Sequence, residues 1–186
     1  VIIALEGLPG AGKTTTARVL AERLGGNYVH ESSSNHPFLA DFYRDIERYK
    51  LETELCFVLL HYHQYRDLDR QNLVVLDYSP VKDLVFADLN LAHADHDLFE
   101  AVYARTSGSI AAPDISVFLE LELEHIQERI RERGREYERD IDPEYLKRLQ
   151  GAYHDRLAQL GDRVERVAVS VAMTREDVAA AVAALI

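Results

Sequence analysis

Val1-Ile2-Ile3-Ala4-Leu5-Glu6-Gly7-Leu8-Pro9-Gly10-Ala11-Gly12-Lys13-Thr14-Thr15-Thr16 decides the fold, because an apolar run passes straight into a glycine-rich loop and then into helical periodicity from Ala17 to Leu24. From Gly7 to Thr14 the residues satisfy G-x-x-x-x-G-K-[ST]. Gly7, Gly10 and Gly12 permit backbone conformations closed to other residues and bring amide N–H groups against phosphate oxygens. The following helix turns its positive dipole end on the same anion. Lys13 is suited to neutralise the β- and γ-phosphates, Thr15 continues the phosphate-binding turn, and the Thr14 hydroxyl is suited to ligate Mg²⁺. Strand, loop and helix together predict a nucleoside triphosphate site.

Outward from this loop, short β-branched or apolar runs fall at Val1–Leu5, Tyr28–Val29, Leu73–Leu76, Ile115–Leu119 and Val167–Val171, with longer helical segments between them. Strands separated by helices predict a parallel sheet with helices on both faces and ligands beyond the strands' carboxyl ends. Glu31 follows the second strand and Asp77 the third, so both acids are expected on the rim that carries the loop. An acid at Glu31 can accept the proton of an attacking hydroxyl; one at Asp77 can hold Mg²⁺ through water or orient the first. Arg129 and Arg133 stand at i, i+4 on one helix face, with Gly134 and Arg135 next, which suits a lid that closes over a transferring phosphoryl group.

The 186 residues, 47% hydrophobic and 28% charged, suit one folded domain over 1–186 rather than disorder or two independent units. A net charge of −11 disfavours a polynucleotide partner. The apolar runs are too short for the ~20 residues of a bilayer span and no basic-then-apolar leader opens the chain, so the expectation is a cytoplasmic protein without a membrane partner. Cys56 stands alone, which excludes an internal disulfide. The histidines of His61-Tyr62-His63 and His93-Ala94-Asp95-His96 show no tetrahedral ligand spacing and are read as structural.

With these residues in view, the chain resembles the deoxyribonucleoside kinase family from Val1 to about Leu157. Glu31 followed by Asn35-His36-Pro37-Phe38-Leu39-Ala40-Asp41-Phe42-Tyr43 is similar to that family's glutamate and "NPFL..FY" segment. Asp77-Tyr78-Ser79 stands at its acidic-Arg-Ser triplet, Pro113-Asp114 precedes its fourth strand, and Arg129 to Leu146 is similar to its lid, here spanning about 129–141. The resemblance implies a three-layer α/β P-loop kinase fold with a five-stranded parallel sheet and an Arg-rich lid. It implies transfer of the ATP γ-phosphoryl group, with Mg²⁺, to the 5′-hydroxyl of a small-molecule deoxynucleoside in nucleotide salvage, by a homodimer. Glu31 then corresponds to the catalytic acid, Tyr43 and Glu138 to the groups at the sugar 3′-hydroxyl, Arg129 and Arg133 to catalytic lid arginines, and Arg135 to a nucleotide-binding one.

Tyr78 departs from the family's arginine, and Lys82, one helical turn on, is the expected replacement cation. The resemblance implies Glu54, His61 and Asp83 around the base, where the family has a Gln, an Arg and an Asp, of which only the Asp is retained. Glu54 and His61 are two turns apart on one helix face, and an ionised, acceptor-only Glu54 leans toward guanine, whose edge offers two adjacent donors. A purine deoxynucleoside is expected, deoxyguanosine slightly ahead of deoxyadenosine. The competing readings are a thymidylate kinase-like monophosphate kinase and a nucleotide-driven binding switch. Against the first, 31–50 holds only Arg44, Arg48 and Lys50 as cations for a doubly charged acceptor.

Overall fold

The computed structural model describes residues 1–110, 112–139, 141–160 and 164–186. Five strands, β1 (Ile2–Glu6), β2 (Asn27–Val29), β3 (Val74–Leu76), β4 (Ile115–Glu120) and β5 (Val164–Ala168), form one parallel sheet in the order β2-β3-β1-β4-β5. The helices are α1 (Lys13–Leu24), α2 (Leu39–Arg44), α3 (Ile46–Arg66), α4 (Pro80–Asn90), α5 (His93–Ser107), α6 (Leu123–Arg133), α7 (Pro143–Leu160) and α8 (Arg175–Ala183). Every residue of β1 is buried, as a central parallel strand covered on both faces requires. α1 packs on α8 over one face, and α4 packs on α7 over the other. Leu5, Leu20, Phe118, Leu149 and Tyr153 belong to the largest core cluster.

Register positions the rim. Ala4 and Val29 both pair with Leu76, so Asp77 emerges beside His30 and Glu31 and one strand away from the Gly7 loop. The chain crosses from β3 to β4 on the other side of β1, which opens a crevice at the carboxyl end of β1. The expected fifth strand, Val167–Val171, is corrected to Val164–Ala168. Pairing with Ser116–Glu120 decides it, and an edge strand tolerates Glu165 and Arg166 while Val171 lies exposed. The last helix spans Arg175–Ala183 and is opened by a capping box of Thr174 and Asp177. Position 140 of the expected lid lies outside the described residues. Among the described residues no helix is long and apolar enough to cross a membrane.

Candidate active site

The phosphate loop owes its shape to three glycines at positive φ: Gly7 (141°), Gly10 (86°) and Gly12 (99°). At Gly7 a Cβ would come within 2.9 Å of the Leu119 carbonyl oxygen, so both conformation and space require glycine. Lys13 donates to the loop's own carbonyls, Gly7 O at 2.6 Å and Leu8 O at 2.9 Å. Burial, and then repulsion from Lys82, lowers its ammonium to about 8. Anionic phosphate oxygens would hold it protonated and replace both carbonyls.

Asp77 is a hub. Its Oδ2 accepts from Thr14 Oγ1 (2.6 Å) and Tyr28 Oη (3.0 Å) and meets His30 Nδ1 at 2.8 Å, while Oδ1 accepts the Glu31 backbone N–H at 2.8 Å. This last bond turns the chain after β2 so that Glu31 faces inward. A hydroxyl and a carboxylate oxygen side by side are hard donors that suit Mg²⁺. The crowding of Oδ2 favours a water between Asp77 and the ion. Among the described residues no group of three or more His, Cys, Asp or Glu forms a metal cage. The donor set therefore fits an ion that takes its remaining ligands from phosphate and water.

Two cavities open from this rim and share Lys13, Thr14, Arg133 and Arg135 as walls. The first, with about 840 Å³ of free space counting its open mouth, is lined by Glu31, Tyr43, Glu54, Asp77, Lys82, Asp83 and Glu138 with the apolar Leu39, Phe42, Phe57 and Phe86. The second, an open trough of about 1750 Å³, runs along Gly10–Thr16, Arg129 and the start of α8 at Arg175–Val178. Glu31 points into the first and is only 15% exposed. Its carboxylate is paired with Lys82 Nζ, and His61 Nε2 lies 3.3 Å away, at ion-pair distance without hydrogen-bond alignment. Burial alone would raise the Glu31 carboxyl, but Lys82 and His61 overcome it and hold the group well below the usual carboxylate range. Burial likewise opposes charge on Lys82, and Glu31 overrides it upward. The ammonium is caged at 4.8 Å from the Phe57 ring centre and 5.5 Å from that of Phe86.

His61 requires a correction. Expected on the base wall, it is buried behind it, with Nδ1 on Asp83 Oδ1 at 2.7 Å and its ring stacked on Tyr78 at 4.4 Å. Two helical turns carry it away from Glu54 toward Asp83, and it acts on Glu31 rather than on the cavity. Burial would lower its imidazole, but Asp83 and Glu31 raise it to about 9, so it is a cation at neutral pH. Tyr78 is buried and does not line the cavity, whereas Lys82 does. Glu54 also departs from expectation. Burial raises its carboxyl to about 8, so at pH 7 it is a neutral acid that donates as well as accepts, and the acceptor-only basis for preferring guanine is withdrawn.

At the lid, α6 ends on Gly134 at φ 68° as expected. Glu138, buried, takes Arg133 on Oε2 and Arg135 on Oε1 (3.2 Å), and Tyr43 stacks on Tyr137 at 5.9 Å. Arg129 lines only the trough, whereas Arg133, its i+4 neighbour, lines both chambers. Sequence reasoning missed Tyr28 and His30, although their place at the end of β2 puts them on the rim. It also missed Glu6, whose buried carboxyl accepts from Ser79 Oγ and is raised by burial to about 7. Asn90, behind Glu54, carries no local signal, and Tyr145, which falls in the stretch similar to the family's lid, is not marked there as the partner of Asn90.

The family model described as "Deoxynucleoside kinase" matches residues 3–184. A deoxyguanosine kinase of Bacillus subtilis is 29% identical over 163 residues, 85% of this chain and 79% of that protein. A deoxyadenosine kinase of Dictyostelium discoideum is 32% identical over 164 residues, 85% of this chain and 67% of that protein. Among solved structures, a deoxyadenosine kinase from M. mycoides superposes with a TM-score of 0.85 at 20% identity, covering 100% of this chain and 97% of that one.

Proposed function

The chain belongs to the deoxynucleoside kinase family, and from that premise we propose that it passes the ATP γ-phosphoryl group to the 5′-hydroxyl of a purine deoxynucleoside, as a cytoplasmic homodimer in nucleotide salvage. It is an ATP-dependent deoxynucleoside kinase, with a small-molecule acceptor. The purine assignment is supported by relatives that act on deoxyguanosine and deoxyadenosine. The observation that carries the reading is the meeting of a cleft and a more open trough at Lys13, Thr14, Arg133 and Arg135, with the inward-facing Glu31 on the cleft side.

In this reading ATP lies in the trough, its phosphates on the Gly7–Thr15 backbone and Lys13, with Arg129 and Arg135 beside them. The deoxynucleoside enters the cleft with its sugar edge toward Tyr43 and Glu138. Its 5′-hydroxyl donates to Glu31, which orients it and, being a weak base, accepts the proton late. The O5′–P bond forms, the bond from P to the β-phosphate oxygen breaks, ADP departs, and Glu31 returns the proton to solvent. Thr14 and Asp77 would hold Mg²⁺, which supplies neutralisation of phosphate charge. Lys82 stands in for the cation that Tyr78 does not provide, and Arg133 stabilises the transferring group from the lid. A monophosphate acceptor is disfavoured because the carboxylates of Glu31 and Glu138 already balance Lys82, Arg133 and Arg135, which leaves no surplus positive charge for a second phosphate beside the transferring one.

Measuring ADP release with each deoxynucleoside and each deoxynucleoside monophosphate tests the acceptor class; turnover confined to monophosphates overturns the reading. Glu31→Gln is expected to lower kcat by about 10²–10⁴ with ATP binding nearly intact. Near-wild-type turnover removes Glu31 from its role.

A further inference from the structure

Ser79 opens α4 with a hydroxyl that works in two directions. Its Oγ accepts the Val81 backbone N–H at 3.1 Å, which caps the helix, while its carbonyl oxygen accepts the Lys82 N–H at 3.1 Å. A capping hydroxyl turns its own hydrogen away from the helix, and Ser79 is fully buried, so bulk water cannot receive it. Glu6 Oε1 receives it instead. Glu6 is the last residue of β1, is itself fully buried, and pairs with Phe118 of β4. The next residue, Gly7, begins the phosphate loop and accepts from Lys13 Nζ. One hydroxyl thus pins the first turn of α4 to the foot of the donor loop.

A carboxyl group is an unfavourable choice for the interior of a central strand, where an apolar side chain of similar volume would avoid the desolvation penalty. Its hydrogen bonding does not offset that penalty in full, because Glu6 Oε2 has no partner among the described residues. What the position gains is the seat of α4. Tyr78 brings no cation to the rim, so the ammonium paired with Glu31 comes from inside α4, three residues past Ser79. Where that ammonium stands relative to the donor loop follows from how the first turn is held.

Resting on the reading above in which Lys82 supplies the cation of the cleft, we propose that Glu6 is a positioning residue for the transfer. By accepting the Ser79 hydroxyl it fixes the first turn of α4 against the phosphate loop, and so sets Lys82, and through it Glu31, in register with the donor phosphates. Glu6 lines neither cavity, so it touches neither substrate. Its contribution is alignment, which shows in kcat rather than in the binding of ATP, and misplacing reacting groups by about 1 Å can lower a rate by about 10²-fold.

The test measures kcat and both KM values for Glu6→Met and Glu6→Gln, each alone and combined with Lys82→Ala, using ATP and the deoxynucleoside that wild type turns over fastest. Methionine matches glutamate in length but offers the Ser79 hydroxyl no oxygen, whereas glutamine keeps a carbonyl oxygen for it. Glu6→Met is expected to lower kcat about 10- to 100-fold with KM for ATP changed by about twofold at most, and Glu6→Gln to restore kcat to within about threefold of wild type. In the Lys82→Ala background the Glu6→Met loss should shrink to about twofold or less, because a cation that is absent cannot be misplaced. A merely structural Glu6 would lower Tm and leave the kcat of the folded enzyme alone. Undiminished kcat in Glu6→Met, losses that multiply in the double variant, or a Glu6→Gln as impaired as Glu6→Met each overturn the proposal. If Glu6→Met does not fold, Ser79→Ala removes the same bond from the other side, and its cycle with Lys82→Ala decides by the same criterion. Wild-type kcat/KM in Lys82→Ala brings down the Lys82 reading and this proposal with it, but not the kinase reading. Only failure of wild type to phosphorylate any deoxynucleoside would bring down all three.

Discussion

The two chambers that meet at Lys13 are built on opposite electrostatic plans. In the acceptor cleft most of the charged groups are already paired: Glu31 with Lys82 and His61, Asp83 with His61, Glu138 with Arg133 and Arg135. In the donor trough Lys13 rests on its own loop carbonyls, with no carboxylate among the described residues paired to it. A neutral nucleoside brings no charge to solvate a buried ion, so its pocket must be balanced before it arrives. A triphosphate brings several charges, and its pocket must keep donors unspent.

Breaking the pairing of the cleft should have the largest effect. Lys82→Ala is expected to reduce kcat/KM for the deoxynucleoside by about 10²–10³, the scale of a lost transition-state charge partner, with KM for ATP little altered. A change within twofold would show that the cleft does not need its caged ammonium. On the trough side, Arg129→Ala should raise KM for ATP about tenfold, as for one lost charge-assisted contact, while KM for the deoxynucleoside stays put. Equal changes in both KM values would mean that the chambers are not separable at this arginine.

The smallest effect is on stability. His61 is raised to about 9 in the folded protein, so its stabilisation is fully present below its ordinary 6.5 and is lost as pH rises through about 9. Glu54, an acid raised to about 8, also lets stability fall with rising pH, because above 4.5 the unfolded chain ionises first. Tm should therefore drop by a few degrees between pH 7 and 9.5, and the slope should be shallower in His61→Gln. Lys13, lowered to about 8, works in the opposite direction above that pH, so the deciding readout is the slope of wild type against His61→Gln, and equal slopes contradict the paired, protonated imidazole.

Legibility in the sequence followed contiguity. The Gly7–Thr14 loop could be read because its chemistry resides in eight neighbouring residues, and Glu31 and Asp77 because each directly follows a strand. Lys82 could be located one turn beyond Tyr78, but its partner Glu31 is 51 residues away. Helical spacing put Glu54 and His61 on one face correctly and assigned them one role wrongly, since α4 and the end of β2 determine what each meets. The fifth strand slipped because an apolar run marks a strand's tendency, while β4 dictates its register.

The sequence by itself determined the parallel α/β order, the phosphate loop and the acids of the rim, because backbone preference and side-chain periodicity act over a few residues. Only the tertiary structure decided protonation and partnership: a neutral Glu54, a cationic His61, an Arg133 committed to Glu138. Those states depend on burial and on charges delivered by distant segments, and neither exists until the chain has folded.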